Sequence, residues 1–89
     1  MKYSINKSVL WKKVDGEVVM VDPDKDDYSY LNSTASDVWA LIDKGIGSDE
    51  IIETLAGLYD TDIKTIKADI TKLLKELVRE GYITPLKDS

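Results

Sequence analysis

The chain has 89 residues, of which 43% are hydrophobic and 33% charged, a balance that supports one core but leaves little room for an enclosed reaction chamber. It contains neither cysteine nor histidine, which excludes disulfides, thiolate or imidazole metal sites and the usual general base; no catalytic activity and no cofactor are expected. A net charge of −5 disfavours any duty that requires neutralising many phosphates.

Residues 1–10 lack the apolar segment of a signal peptide, and no apolar run approaches the roughly 18 residues needed to span a bilayer, so the expectation is a cytoplasmic protein without a membrane partner. "VLWKKV" (9–14) and "EVVMVD" (17–22) are strand-like and flank Asp15-Gly16, a strong hairpin signal. The next stretch, "DPDKDD" (22–27), places Asp22, Asp24 and Asp26 at the first three ligand positions of a calcium-binding helix-loop-helix site. Asp27 then stands where that loop requires glycine, and Ser33 where it requires a bidentate glutamate, so a solvated turn is the better reading and no metal site is assigned. "DYSYL" (27–31) reads as a third strand, with Tyr28 and Tyr30 on one face and Ser29 and Leu31 on the other.

Periodicity then changes from two to 3.6. Asn32 or Ser33 caps a helix with Ala35, Val38, Trp39, Leu41 and Ile42 on its apolar stripe, ending near Gly45. A second helix begins at Ser48 with Asp49 and Glu50 in its first turn, and Ile51, Ile52, Leu55, Leu58 and Tyr59 form its apolar face. The third follows residues 60–62 and runs about five turns towards Gly81, with Ile63, Ile66, Ile70, Leu73, Leu74, Leu77 and Val78 on one side. The order β-β-β-α-α-α, without repeat or linker, predicts a single domain over residues 1–89. Its expected class is α+β, a three-stranded antiparallel sheet followed by three helices, with a core from about residue 9 to 83. Trp39 belongs to the core by its spacing, whereas strand alternation leaves Trp11 outward and half-exposed.

At about 100° per residue, the third helix has unlike flanks: Lys64, Lys67, Thr71 and Lys75 on one side of the apolar stripe, Asp69, Glu76 and Glu80 on the other. If "DYSYL" forms the sheet's outer edge, it carries no proline or lysine to blunt pairing with another chain. Backbone pairing with a visiting peptide, about 0.5–1.5 kcal/mol per hydrogen bond, roughly cancels the ordering of that peptide at about 1–2 kcal/mol per residue. Affinity would come from apolar anchors beside the third helix, with Lys67 or Lys75 favouring acidic peptides.

"VVMVD", "YLNSTASDVWALI" (30–42), "SDEIIETLAGLY" (48–59) and "DITKLLKELVREGYI" (69–83), taken in this order and spacing, resemble the PqqD family of small recognition domains for ribosomally made, post-translationally modified peptides. The resemblance covers about residues 9–83 and implies a winged-helix-like fold. It further implies that the leader segment of a precursor peptide adds as a fourth strand beside the third, bordered by the third helix, and is presented to a modifying enzyme, often a radical S-adenosylmethionine protein. Carried over by position, the strand contacts are Asp27, Tyr28, Ser29, Tyr30 and Leu31; the helix contacts are Lys67, Ile70, Thr71, Leu74, Lys75 and Val78. On this basis Leu74→Glu is expected to spare folding and weaken leader binding. The competing reading is a DNA-binding winged helix, in which the third helix would meet phosphates with Lys64, Lys67, Lys72, Lys75 and Arg79. Those cations are interspersed with carboxylates, so no nucleic-acid partner is expected. A monomer or weak homodimer is expected, and a self-associating structural module is the third alternative.

Overall fold

A computed structural model describes residues 1–23 and 27–87. The elements run β1 (Lys2–Ile5), β2 (Leu10–Val14), β3 (Glu17–Asp22), β4 (Asp27–Tyr30), α1 (Ser33–Asp43), α2 (Ser48–Tyr59), α3 (Ile63–Arg79) and β5 (Ile83–Leu86). Strands β2, β3 and β4 form an antiparallel sheet in that order, and β1 pairs with β5 in a separate two-stranded ribbon. The α+β class and the expected sheet-then-helices order are present, but the ribbon was not expected.

The β2–β3 hairpin turns on Asp15 and Gly16, both at positive φ (52° and 83°), the twist a two-residue connection needs. Along β3, Val18, Met20 and Asp22 are buried while Val19 and Val21 stay half-exposed. The inner face rests on the helices, centred on fully buried Trp39 of α1. Trp11 shares that face, since it pairs with Met20, and it packs edge-on against Trp39 with ring centroids 5.9 Å apart. The outward expectation for Trp11 is thereby corrected: pairing with an inward residue of β3 decides its face.

Helix starts follow the sequence, with one change. Asn32 accepts from the Ala35 N–H at 2.9 Å and Asp62 from the Lys64 N–H at 3.3 Å, whereas α2 starts from Gly47 without a side-chain cap. Asp60 ends α2 in the left-handed region at φ 51°. Ile66, Ile70, Leu74 and Leu77 of α3 complete the core with Ile51, Ile52 and Leu55 of α2.

The ribbon joins residues far apart in the chain: Ile5 lies opposite Ile83 and Tyr3 opposite Pro85. The Asn6 N–H donates to the Tyr82 carbonyl at 3.0 Å, which puts Pro85 at a position whose nitrogen faces away from β1, so no ladder bond is lost there. Among the described residues no helix is long and apolar enough to cross a membrane.

Candidate functional site

Strand β4 closes one side of the sheet order, and its register decides what it presents outward. Val19 lies opposite Tyr30, Met20 opposite Ser29 and Val21 opposite Tyr28. The Leu31 N–H donates to the Val18 carbonyl at 2.9 Å. Antiparallel pairs alternate between bonded and non-bonded, so Leu31, Ser29 and Asp27 direct their main-chain groups at β3. The N–H and C=O of Tyr30 point the other way, to the sheet's margin.

The inner end of this ladder contains a hydroxyl. Ser36 of α1, fully buried, accepts from the Val18 N–H at 2.8 Å and donates to the Leu31 carbonyl at 3.1 Å, in place of the direct bond the two strands would otherwise make. One side chain thus satisfies two buried backbone groups and pins the β4–α1 junction. Further out, Ser29 Oγ lies 2.8 Å from the Tyr82 hydroxyl, tying the inner face of β4 to the residue chain just beyond α3. The side chains of Tyr28 and Tyr30 are 64% and 74% exposed on the outer face, beside Leu10, Val19 and Val21.

Helix α3 meets different neighbours at the two ends of its lysine-bearing flank. Lys64 and Lys67 line a hollow with Asp49, Ile52 and Glu53 of α2. Nearer the other end, Leu74, Lys75, Val78 and Arg79 line one with Tyr3 and Pro85 of the ribbon. Helix geometry puts Asp69, half-buried Leu73, half-buried Glu76 and Glu80 on the opposite flank.

The strand half of the expected site, Asp27, Tyr28, Ser29, Tyr30 and Leu31, is one contiguous edge. The helix half divides between core and surface. Ile70 and Leu74 are 1% and 4% exposed and belong to the core. Lys67, Thr71 and Lys75 sit on an exposed face, with Lys67 turned to α2 and Lys75 and Val78 to the ribbon. With Leu74 4% exposed and packed in the core, Leu74→Glu is no longer expected to spare folding, because a carboxylate in place of that side chain would be largely desolvated. The bridging role of Ser36 was not anticipated. A lone small polar residue between Ala35 and Val38 on an apolar stripe is the one signal that could have singled out Ser36.

Of the aspartates considered for a metal, Asp22 is buried at the end of β3, while Asp24 and Asp26 lie outside the described residues. Among the described residues no group of three or more acidic, histidine or cysteine side chains is placed to hold a metal ion. Among the described residues one titratable group is clearly perturbed: the Tyr59 hydroxyl donates to Asp37 Oδ2, and that bond, with desolvation and the nearby carboxylate charge, raises its pKa above the ordinary value. It clamps α2 to α1, away from β4.

The family described as Coenzyme PQQ synthesis protein D (PqqD) matches residues 17–83, which span β3 through the start of β5. The chain belongs to the PqqD family. Among solved structures, TbiB1 in complex with the TbiA(beta) leader peptide superposes with a TM-score of 0.87 at 25% identity, covering 96% of this chain and 99% of that one. A lasso peptide synthetase B1 complexed with its leader peptide superposes at 0.86 and 20% identity, covering 96% and 100%, and shows the shared fold. No curated protein matches the chain.

Proposed function

We propose that this PqqD-family chain is a non-catalytic cytoplasmic carrier. In this reading it captures the leader segment of a ribosomally made precursor peptide and presents it to a modifying enzyme, a radical S-adenosylmethionine protein. The leader adds as a strand along β4, pairing with the outward main-chain groups of Tyr30 and running beside Asp27 to Leu31. The observation that carries the reading is the β4 edge itself: a strand at the sheet's margin, held on its inner side by Ser36 and Ser29 and directing Tyr30 outward. The similarity to TbiB1, which is bound to a leader peptide, supports it.

The energetics assign the work. Backbone pairing roughly offsets the cost of ordering the guest, so each inward apolar side chain of the leader, at about 1.5–3 kcal/mol when fully buried, decides affinity. Leu31 and Leu73, both half-buried against the core, are the surfaces such side chains would cover. Tyr28 and Tyr30 flank the guest from the outer face.

The test is chemical-shift mapping with the leader segment of a precursor encoded beside this gene. Saturable shifts concentrated at Tyr28, Ser29, Tyr30, Leu31 and Leu73 are expected; shifts confined to β2 or to α2 would rule the reading out. The DNA-binding alternative requires phosphates to approach α3 past Asp49 and Glu53, which stand beside Lys64 and Lys67. Retention of duplex DNA at low salt, with no leader binding, would restore it.

A further inference from the structure

On its solvent side α3 carries a shallow hollow of about 480 Å³ lined by Lys64, Lys67, Ala68, Thr71, Lys72 and Lys75. Four of those six residues are lysines and none is acidic, in a chain whose net charge is −5. The pattern has a geometric cause. Lys64, Ala68 and Lys72 form one row along the helix, and Lys67, Thr71 and Lys75 the next, so the two small residues sit side by side at the centre and the lysines at the corners. A saddle results, with a floor of methyl groups and cationic rims about 12 Å apart along the axis, eight residues at about 1.5 Å each.

We propose that this lysine face is a second docking surface, which takes an acidic segment of a partner protein while β4 remains available to its own ligand. Charge complementarity selects the occupant. Four exposed ammonium groups without a carboxylate between them favour an anion, and the low floor admits an aliphatic side chain of a polypeptide. Carboxylates spaced about 12 Å apart, two turns of a helix or four residues of an extended chain, would meet both ends of a row. A nucleic-acid duplex fits less well: Asp49 and Glu53 stand at the N-terminal border beside Lys64 and Lys67, where a continuous phosphate backbone would have to pass. The face is distinct from the β4 edge, because its walls lead to α2 at one end and to the ribbon residues Tyr3 and Pro85 at the other. This inference therefore stands whether or not β4 binds a leader.

The experiment is an amide-resolved titration of the whole chain with a ten-residue poly-L-glutamate peptide at low and moderate salt. It is repeated on the variant Lys64→Gln/Lys67→Gln/Lys72→Gln/Lys75→Gln. Glutamine matches lysine in helix propensity and the sites are exposed, so the variant folds. The proposal expects saturable shifts confined to residues 64–75 and affinity that falls several-fold as salt screens the pairs. It also expects loss of both in the variant, with β4 amides unmoved. It is overturned by non-saturable or scattered shifts, by binding that survives in the variant, or by a ten-base-pair duplex that binds the same face more tightly. Lysine-dependent self-association in sedimentation, without poly-glutamate binding, would also overturn it, because the occupant would then be a second copy.

Discussion

Strands β2 and β4 flank the same central strand, yet they end the sheet in different ways. β2 carries Lys12 and Lys13, both exposed, and Lys13 pairs with Val18 so that its charge is directed to the inner side. A cation there penalises any strand that would add to that margin, one of the usual means of keeping an edge from pairing. β4 presents Tyr28, Ser29 and Tyr30 instead, and its inner side is buttressed by Ser36 and Tyr82. One margin of the sheet thus carries an inward-directed cation and the other does not. The contrast between the two margins can be broken experimentally.

The largest effect is expected from the frame beneath β4. Leu74→Glu buries a carboxylate in the core and should cost about 4 kcal/mol or more, enough to unfold a small domain, as a lost thermal transition by circular dichroism would show. Survival of a normal melt would mean that a side chain at this position can turn out of the core into the hollow beside Tyr3 and Pro85. Next comes Ser36→Ala, which leaves the Val18 N–H and Leu31 C=O without their buried bridge; about 2–4 kcal/mol of stability should be lost in a denaturant titration, with β4 loosened. An unchanged midpoint would show that the two strands close the gap themselves.

A sharper comparison uses proline on the two edges. Tyr30→Pro removes an N–H that faces away from β3, so stability should fall by no more than about 1 kcal/mol while leader affinity drops at least about tenfold in calorimetry. Lys13→Pro, the matching change on β2, should leave affinity unaltered; equal losses from both variants would erase the distinction between the edges.

The smallest effect lies far from either edge. Tyr59→Phe removes the bond to Asp37 on an exposed surface, worth about 0.5 kcal/mol near neutral pH. Because the folded protein holds this hydroxyl above its ordinary value, its contribution is fully present below that value and vanishes as pH rises through the raised one. Stability curves of the two proteins should therefore converge at strongly alkaline pH; a gap that widens there would reverse the assignment.

Local pattern sufficed where local chemistry decides. Asp15-Gly16 permits one kind of turn, Asn32 caps the helix it precedes, and the spacing of Ile66, Ile70, Leu74 and Leu77 defines a buried stripe. It failed where partners are distant. The ribbon joins Tyr3 to Pro85, and a proline inside a four-residue run argues against a strand until its partner is known. The face of Trp11 depended on its pairing with Met20. The candidate site divided along the same line: β4 was legible as an outer strand without proline or lysine, whereas the neighbours of α3, α2 at one end and the ribbon at the other, were not.

Amide hydrogen exchange at Tyr30, with and without the leader peptide, tests the central claim most directly. The Ser29 and Leu31 amides, bonded towards β3, should exchange slowly in both states, while the outward Tyr30 amide exchanges fast alone and slows at least about tenfold once the guest strand pairs with it. A Tyr30 amide already slow in the free protein, or one still fast when the leader is bound, would contradict the account.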